Sequence, residues 1–408
     1  MPDTTDPQTM TEATATQGSG RGSRYLDEEI DYIVDVIRNA DPLTQGKQQD
    51  LFEERFREVI GVNHAFAMTS CTSALHIAAV LSKVGPGDEV IIPAHTFAAS
   101  AIPFAHTGAT IVWADIEPDT FVTSADCIRR KITSKTKVIL VVHLYGLMVD
   151  MDPVMALAEE HDLIVVEDAA QALGSTINGR AAGSYGHFAC FSFHGHKNVT
   201  TLGEGGMLVV RDDETAALIP GVRHNGMRAF EGEREFYWEP AMTNVDFDIT
   251  GMWPFNYCLS EPQCAAGYMQ LGRLDAISQV RIDRAARLRE ALAEFPEITF
   301  QAEKDGFKNV HYCVPARFKS HRNTVNRNDL MSRLADVHDV KMIIQYMPLY
   351  RYPIFAKAGF GESDCPECDD FYDSQVSFPF HAWMPEDQFN HMLNATVESL
   401  TYLRDAEN

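Results

Sequence analysis

The sequence predicts an α/β protein, with a large unit on a mostly parallel sheet and a smaller α+β unit after it. Three observations carry this. Short runs such as "DEVIIPAHTF", "KVILVVHLYG" and "LIVVEDAAQ" are rich in Val and Ile and show little polar alternation. That pattern describes strands covered on both faces. Helical stretches such as "CTSALHIAAVLSKV" and "VMALAEEH" separate the earlier runs, as crossover connections of a parallel sheet require. The chain has 408 residues, 45% of them hydrophobic, which is enough for two cores.

The elements follow in order. Residues 1–24 are rich in Ser, Thr and Gly and lack an apolar h-region, so they are expected to be a disordered tail and not a signal peptide. Residues 28–60 carry a helical pattern broken by "DPLTQG", whose Pro and Gly mark a turn. The strand runs then continue through "TIVWADI", "HFACFSFHG" and "GGMLVV". Residues 211–260 are irregular and are expected to form a long loop at a subunit interface. The pattern is helical again from about 261. The large domain is expected over 25–274 and the small one over 275–408, with no repeat or coiled coil.

Composition excludes some functions. The net charge of −24 makes nucleic acid or an anionic membrane surface a poor partner. No apolar run is long enough to span a bilayer. Eight cysteines without a secretion signal favour free thiols in a reducing cytoplasm. Cys365 and Cys368 form a single C-x-x-C in "DCPECDD"; a zinc ribbon needs a second pair, so the two are read as inert thiols in an acidic loop.

The chemistry centres on "FSFHGHKNVTTLGEGGMLVV", residues 191–210. A Walker-type loop places its Lys after the glycines, whereas Lys197 precedes Gly203, Gly205 and Gly206. His194 and His196 lack a third ligand nearby, which leaves no metal site. A cofactor-bearing lysine fits better, because three other features fit the same partner. Asp168 and Gln171 stand at the end of a buried strand, where open α/β sheets bind ligands. Ser70, Thr72 and Ser73 stand at the start of a helix, whose free N–H groups and hydroxyls suit a phosphate. Phe97 offers an aromatic face at a strand end. Each has an ordinary structural alternative: a cap for Asp168 and the serines, core packing for Phe97. Together they match pyridoxal 5'-phosphate, which takes a lysine for its aldehyde, an acid for its ring nitrogen, a phosphate cup and a stacking partner.

From about residue 28 onward the chain resembles the DegT/StrS-type sugar aminotransferases, which are fold-type I pyridoxal phosphate enzymes. The resemblance lies in "SCTSALHIAAVLSKVGPGDEVIIPAHTFAAS", "VVEDAAQALGS", the Lys197 block, "FNYCLSEPQCAAGYMQLGRLD", "IIQYMPLY" and "CPECDDFYDSQVSFPFH". It implies that Lys197 is the Schiff-base lysine and Asp168 the acid at the ring nitrogen. It implies that Gln171 bonds the phenolic oxygen and Phe97 stacks on the ring. Cys71, Thr72 and Ser192 fall at phosphate positions. Asn256 matches an asparagine that reaches the phosphate of the neighbouring subunit, implying a homodimer with shared sites. Two positions depart from the family pattern: Cys71 stands where glycine is frequent, and Cys258 stands where arginine follows the Asn-aromatic pair.

The implied activity moves an amino group from glutamate or glutamine to a keto-sugar, with Lys197 as general base and acid in two half-reactions. A nucleotide-linked keto-sugar is the first acceptor class and a cyclitol ketone the alternative. A sugar dehydratase is disfavoured because the lysine is present, and a silent sugar-sensing regulator because Lys197 and Asp168 are both intact. Trp238 and Trp253 are candidates for shaping the acceptor pocket, and His194 and His196 for touching the sugar.

Overall fold

The computed structural model describes residues 22–227, 236, 238, 253–320, 322 and 324–407. Most of the 1–24 tail and most of the segment 228–252 therefore lie outside the described residues. The strands in chain order are β1 His64–Met68, β2 Glu89–Pro93, β3 Thr110–Ala114, β4 Thr136–Val142, β5 Ile164–Asp168, β6 Thr176–Ile177, β7 Arg180–Ala181, β8 Phe188–Ser192, β9 Gly206–Val210, β10 Ile298–Phe300, β11 Phe307–Lys308, β12 Val314–Phe318 and β13 Gln375–Phe378.

Seven of them form one sheet in the order β1-β9-β8-β5-β4-β2-β3. The pairs β2/β3, β2/β4, β4/β5 and β5/β8 are parallel; β9 runs against both β8 and β1. The fold is thus α/β with a mostly parallel central sheet. In β4 and β5 Val138–Val141, Val165 and Val166 are wholly buried, because helices cover both faces. The strand β1 is absent from the apolar runs above. Its "HAFAM" contains two alanines and little β-branching, so pairing with β9 makes it a strand where propensity does not.

A second sheet, β10-β12-β13, packs with the helices Leu274–Ala291, Arg327–His338 and Glu386–Glu407 around a separate core of Leu288, Leu330, Phe389 and neighbours. The C-terminal part does not keep to this core. Leu349, Tyr350, Phe355, Cys365, Cys368 and Phe371 join the core of the large sheet. The reason is the edge strand β3, which would otherwise be bare. Trp113 Nε1 donates to the Phe360 carbonyl at 2.8 Å, and the Asp115 carboxylate accepts from the Cys368 amide at 2.9 Å.

Two further expectations change. Gly22 to Arg24, assigned to a loose tail, are held in place. The Gly22 amide donates to the Gly195 carbonyl at 2.8 Å, and the Arg24 carbonyl accepts from Gln270 and Arg273 at 3.1 and 2.8 Å. The expected loop 211–260 begins with the helix Asp213–Arg223, capped by Asp212 Oδ1 at 2.7 Å from the Thr215 amide. Among the described residues, no helix is long and apolar enough to cross a membrane.

Candidate active site

The site lies at the C-terminal ends of β2, β4, β5 and β8, where a parallel sheet leaves strand ends and helix N-termini facing one crevice. A cavity of about 420 Å³ there is lined by Ser70, Cys71, Thr72, Phe97, Asp168, Gln171, Ser192, His194, His196 and Lys197. Of the residues singled out from sequence for the cofactor, all but Ser73 and Asn256 are brought together.

Strand alternation explains the floor. Glu167 and Asp168 are consecutive, so they point to opposite faces of the sheet. Glu167 is wholly buried against His143 Nε2 at 2.9 Å and accepts from the amides of Gly183, Tyr185 and Gly186 at 2.8, 2.8 and 2.6 Å. It holds the turn that leads into β8. Asp168 faces the cavity and is 5% exposed. Its Oδ2 accepts from Ser100 Oγ at 2.7 Å and its Oδ1 from the Ala170 amide at 3.1 Å. Burial is the largest influence on this carboxyl and pushes it up, against the pull of Ser100, Ala170 and Lys197. No cationic side chain bonds Asp168 directly among the described residues. A buried carboxylate in that position could be completed by a cationic N–H such as that of a protonated ring nitrogen.

The walls come from loops. Phe97 precedes the short 3-10 turn Ala98–Ser100 and is 58% exposed, although it is aromatic and lines the cavity. Its ring lies 5.7 Å from that of Tyr346, so its open face is available to a planar ligand. Gln171 Oε1 accepts from the Tyr145 amide at 2.7 Å, and its Nε2 donates to Tyr346 Oη at 3.1 Å. One amide hydrogen of Gln171 stays uncommitted by these bonds.

The cup is the start of the helix Cys71–Leu81. Ser70 caps it, accepting from the Ser73 amide at 3.0 Å, and the Ser73 hydroxyl returns to the Ser70 carbonyl at 2.7 Å. Ser73 is therefore spent on the cap and does not line the cavity, whereas Cys71 and Thr72 do. The last glycine of the run after Lys197 serves this cup: a Cβ on Gly206 would meet the Ser70 carbonyl carbon at 2.3 Å. Only glycine lets β9 press so close to Ser70. Gly206 pairs with Met68 of β1 on one side and Ser192 of β8 on the other.

Lys197 sits in the turn between β8 and β9, its amide donating to the His194 carbonyl at 2.8 Å. Its Nζ lies 4.5 Å from the centre of the Tyr312 ring. His194 and His196 meet edge to face at 4.8 Å, and His194 Nε2 is 3.6 Å from Glu204 Oε1. Burial, His194 and Lys197 push the His196 ring below its usual range. Both histidines line the cavity mouth.

Asn256 lies elsewhere. It forms a bridge with His224, and its Oδ1 accepts from the Cys258 amide at 3.4 Å. Trp253 is 81% exposed, and Trp238 stacks on Phe236 at 4.8 Å; neither lines this cavity. Sequence reading missed Ser100, Tyr312 and Tyr346. Ser100 carried a signal, three residues beyond Phe97 in the same strand-end loop; Tyr346 stood within "IIQYMPLY" with no role assigned, and Tyr312 carried none.

Comparison with known proteins gives the family. The model of the DegT/DnrJ/EryC1/StrS aminotransferase family matches residues 24–397. The spore coat polysaccharide biosynthesis protein SpsC of Bacillus subtilis is 30% identical over 374 residues, 90% of this chain and 93% of that protein. The GDP-perosamine synthase of Caulobacter vibrioides is 42% identical over 247 residues, 60% of this chain and 62% of its own length. The crystal structure of an aminotransferase from Psychrobacter cryohalolentis superposes with a TM-score of 0.87 at 26% identity, covering 95% of this chain and 99% of that one. The chain belongs to the DegT/DnrJ/EryC1/StrS aminotransferase family and is a pyridoxal phosphate-dependent sugar aminotransferase.

Proposed function

We propose that the enzyme transfers the amino group of glutamate or glutamine to a nucleotide-linked keto-sugar, in a homodimer in which Asn256 of each chain completes the phosphate cup of the other. The observation that carries the reading is the meeting of Lys197, Asp168 and the exposed Phe97 ring in one cavity. The similarity to a protein named for a GDP-linked product supports the nucleotide. The exposed Trp253 and Leu43 give apolar surface that a second copy would cover. Eight free cysteines fit the reducing cytoplasm as its compartment.

When bound, pyridoxal phosphate supplies an electron sink beside the carbon that carries the amine. The protein's residues do the rest. Asp168 holds the proton on the ring nitrogen. The amides of Cys71 and Thr72 and the hydroxyls of Thr72 and Ser192 take the phosphate. Phe97 covers one face of the ring and keeps water from it. Gln171, fixed by Tyr145 and Tyr346, orients the phenolic oxygen. Lys197 Nζ would take the proton from the donor's α-carbon and deliver it to the cofactor's C4′ on the other side of the amine nitrogen, and would work in the reverse order with the second substrate. Stacked over Tyr312, the ammonium form is held near that path.

The test is a half-reaction. Mixing the cofactor-loaded enzyme with glutamate or glutamine should change the cofactor's absorbance, and a nucleotide-linked keto-sugar should restore it with release of an amino-sugar. Retention of full turnover by Lys197→Ala would sink the reading. Turnover of cyclitol ketones in preference to nucleotide-linked sugars would keep the chemistry and replace the substrate. A monomer by light scattering at assay concentration would remove the shared site.

A further inference from the structure

We propose that Cys365 and Cys368 are a thiol-modification site, a dithiol that closes to an intramolecular disulfide by exchange with a low-molecular-weight disulfide. Sequence alone made them inert thiols in an acidic loop, and the structure moves them. Cys365 is the residue before the helix Pro366–Ser374, and Cys368 lies in its first turn. Their spacing puts both side chains on one side of that turn. The two sulfurs and a carboxylate oxygen of Asp115 all lie within 4.8 Å of one another, and all three residues are buried. Small rotations about Cα–Cβ would bring the sulfurs to bonding distance.

The two thiols are unlike. Cys365 Sγ lies 2.9 Å from Ser363 Oγ, at the positive end of the helix. Its hydrogen bond with Cys368, and then that with Ser363, hold it below the usual thiol range despite burial. Cys368 is wholly buried, and burial pushes it well above that range. Asp115 is fixed to receive its proton: Oδ1 accepts from the amides of Ile116 and Cys368 at 2.9 Å each, and Oδ2 from Glu367 at 3.1 Å. Access comes from an open surface cleft of about 550 Å³ lined by Trp113, Lys131, Ser363 and Asp364. Ser363 lines the cleft and its hydroxyl bonds Cys365 Sγ, while Cys365 and Cys368 are themselves buried, so a reagent reaches Cys365 only when the stretch 363–365 opens.

The step balances. The Cys365 thiolate attacks one sulfur of the reagent, its S–S bond breaks, and one reagent thiolate leaves. Cys368 attacks Cys365 Sγ while Asp115 takes up its proton, so no free Cys368 thiolate forms in the buried pair. The mixed disulfide breaks, and the second reagent thiolate leaves with that proton. Two protein thiols are oxidised and one reagent disulfide is reduced to two thiols. A metal fits less well, since the group offers three donors among the described residues and structural zinc takes four. The inference stands apart from the acceptor proposed above.

The experiment incubates the cofactor-loaded full chain with oxidised glutathione, quenches it in acid, then denatures, alkylates and weighs it. The reduced chain takes eight alkyl groups, one per cysteine. The treated chain should take two fewer, with the loss mapped to the peptide holding Cys365 and Cys368 and no glutathione retained. Cys368→Ser should trap one glutathione on Cys365, Cys365→Ser should trap none at Cys368, and Asp115→Asn should slow ring closure at least about tenfold. Eight alkylations in the treated wild type, or a loss mapped to other cysteines, would overturn the proposal. So would one zinc per chain in the purified protein that Cys368→Ser abolishes.

Discussion

Asp168→Asn should move stability and catalysis in opposite directions. In the cofactor-free protein the Asp168 carboxyl is buried, bonded to Ser100 Oγ and the Ala170 amide, and pushed above the ordinary carboxylate range mainly by burial. For an acid raised on folding, the folded chain holds the proton more tightly than the unfolded chain. Stability therefore falls as pH rises from the unfolded value through the folded one, and stays lower above it. Each unit of such a shift is worth about 1.4 kcal/mol. Asn keeps an oxygen for Ser100 or Ala170 and carries no charge. The cofactor-free variant should thus melt higher than wild type at pH 7–8, by roughly 2–4 °C per kcal/mol regained, and the gap should close in acid. With cofactor the order reverses, because the ring-nitrogen cation then has no anion. Loss of a buried charge partner at the reacting group should cost about 10²–10³ in the half-reaction rate. Differential scanning fluorimetry of stripped and loaded protein across pH, with stopped-flow absorbance on mixing with glutamate, reads both effects. A stripped variant that melts below wild type throughout, or a half-reaction within tenfold of wild type, would refute the assigned role of Asp168.

Gly206→Ala drives a Cβ into the Ser70 backbone, so it should cost about 1–3 kcal/mol and raise the cofactor's dissociation constant, read by equilibrium dialysis, more than it slows the loaded enzyme. Glu167→Gln breaks a buried contact with His143 and should cost about 3–5 kcal/mol in urea melts. Burial alone would raise the Glu167 carboxyl, but His143 and the Gly186 and Gly183 amides hold it below the usual range. Its contribution should be full above the ordinary carboxylate value and fade as pH falls through the lowered one. Glu261→Ala removes the carboxylate that caps the helix Lys47–Ile60 through the amides of Gly46, Gln48 and Gln49 at 2.9, 2.7 and 3.2 Å. It should lower the unfolding free energy in urea melts by at least about 2 kcal/mol without changing the absorbance of the bound cofactor. Tyr346→Phe frees Gln171 Nε2 and should slow the half-reaction by about 3–10-fold, the loss of about 1 kcal/mol of hydrogen bonding.

What was legible in the sequence was what one strand end or one turn encodes. Asp168 and Gln171 share a strand end, Lys197 and Ser192 share a hairpin, and the Ser70–Thr72 cup opens one helix, so the residues that meet are marked by local pattern. The strand β1 was hidden because its partner β9 is distant in sequence and its own residues favour no strand. Tyr312 and Tyr346 were hidden because their approach to Lys197 and Gln171 depends on how the C-terminal part packs on the large sheet. Ser73 was misread because a hydroxyl at a helix start serves a cap or a ligand equally well, and only the bond to the Ser70 carbonyl separates the two. The C-x-x-C pair was misplaced because the acidic residues around it look like loop, while Pro366 opens a helix there.

Gly206 stands level with Met68 and Ser192 at once, one residue touching the strands that end in the cup and in the lysine turn. The gap between those two anchor points is therefore a gauge cut by ladder hydrogen bonds, not by loops. A phosphate arm lengthened by one methylene should be rejected however well its ring stacks on Phe97.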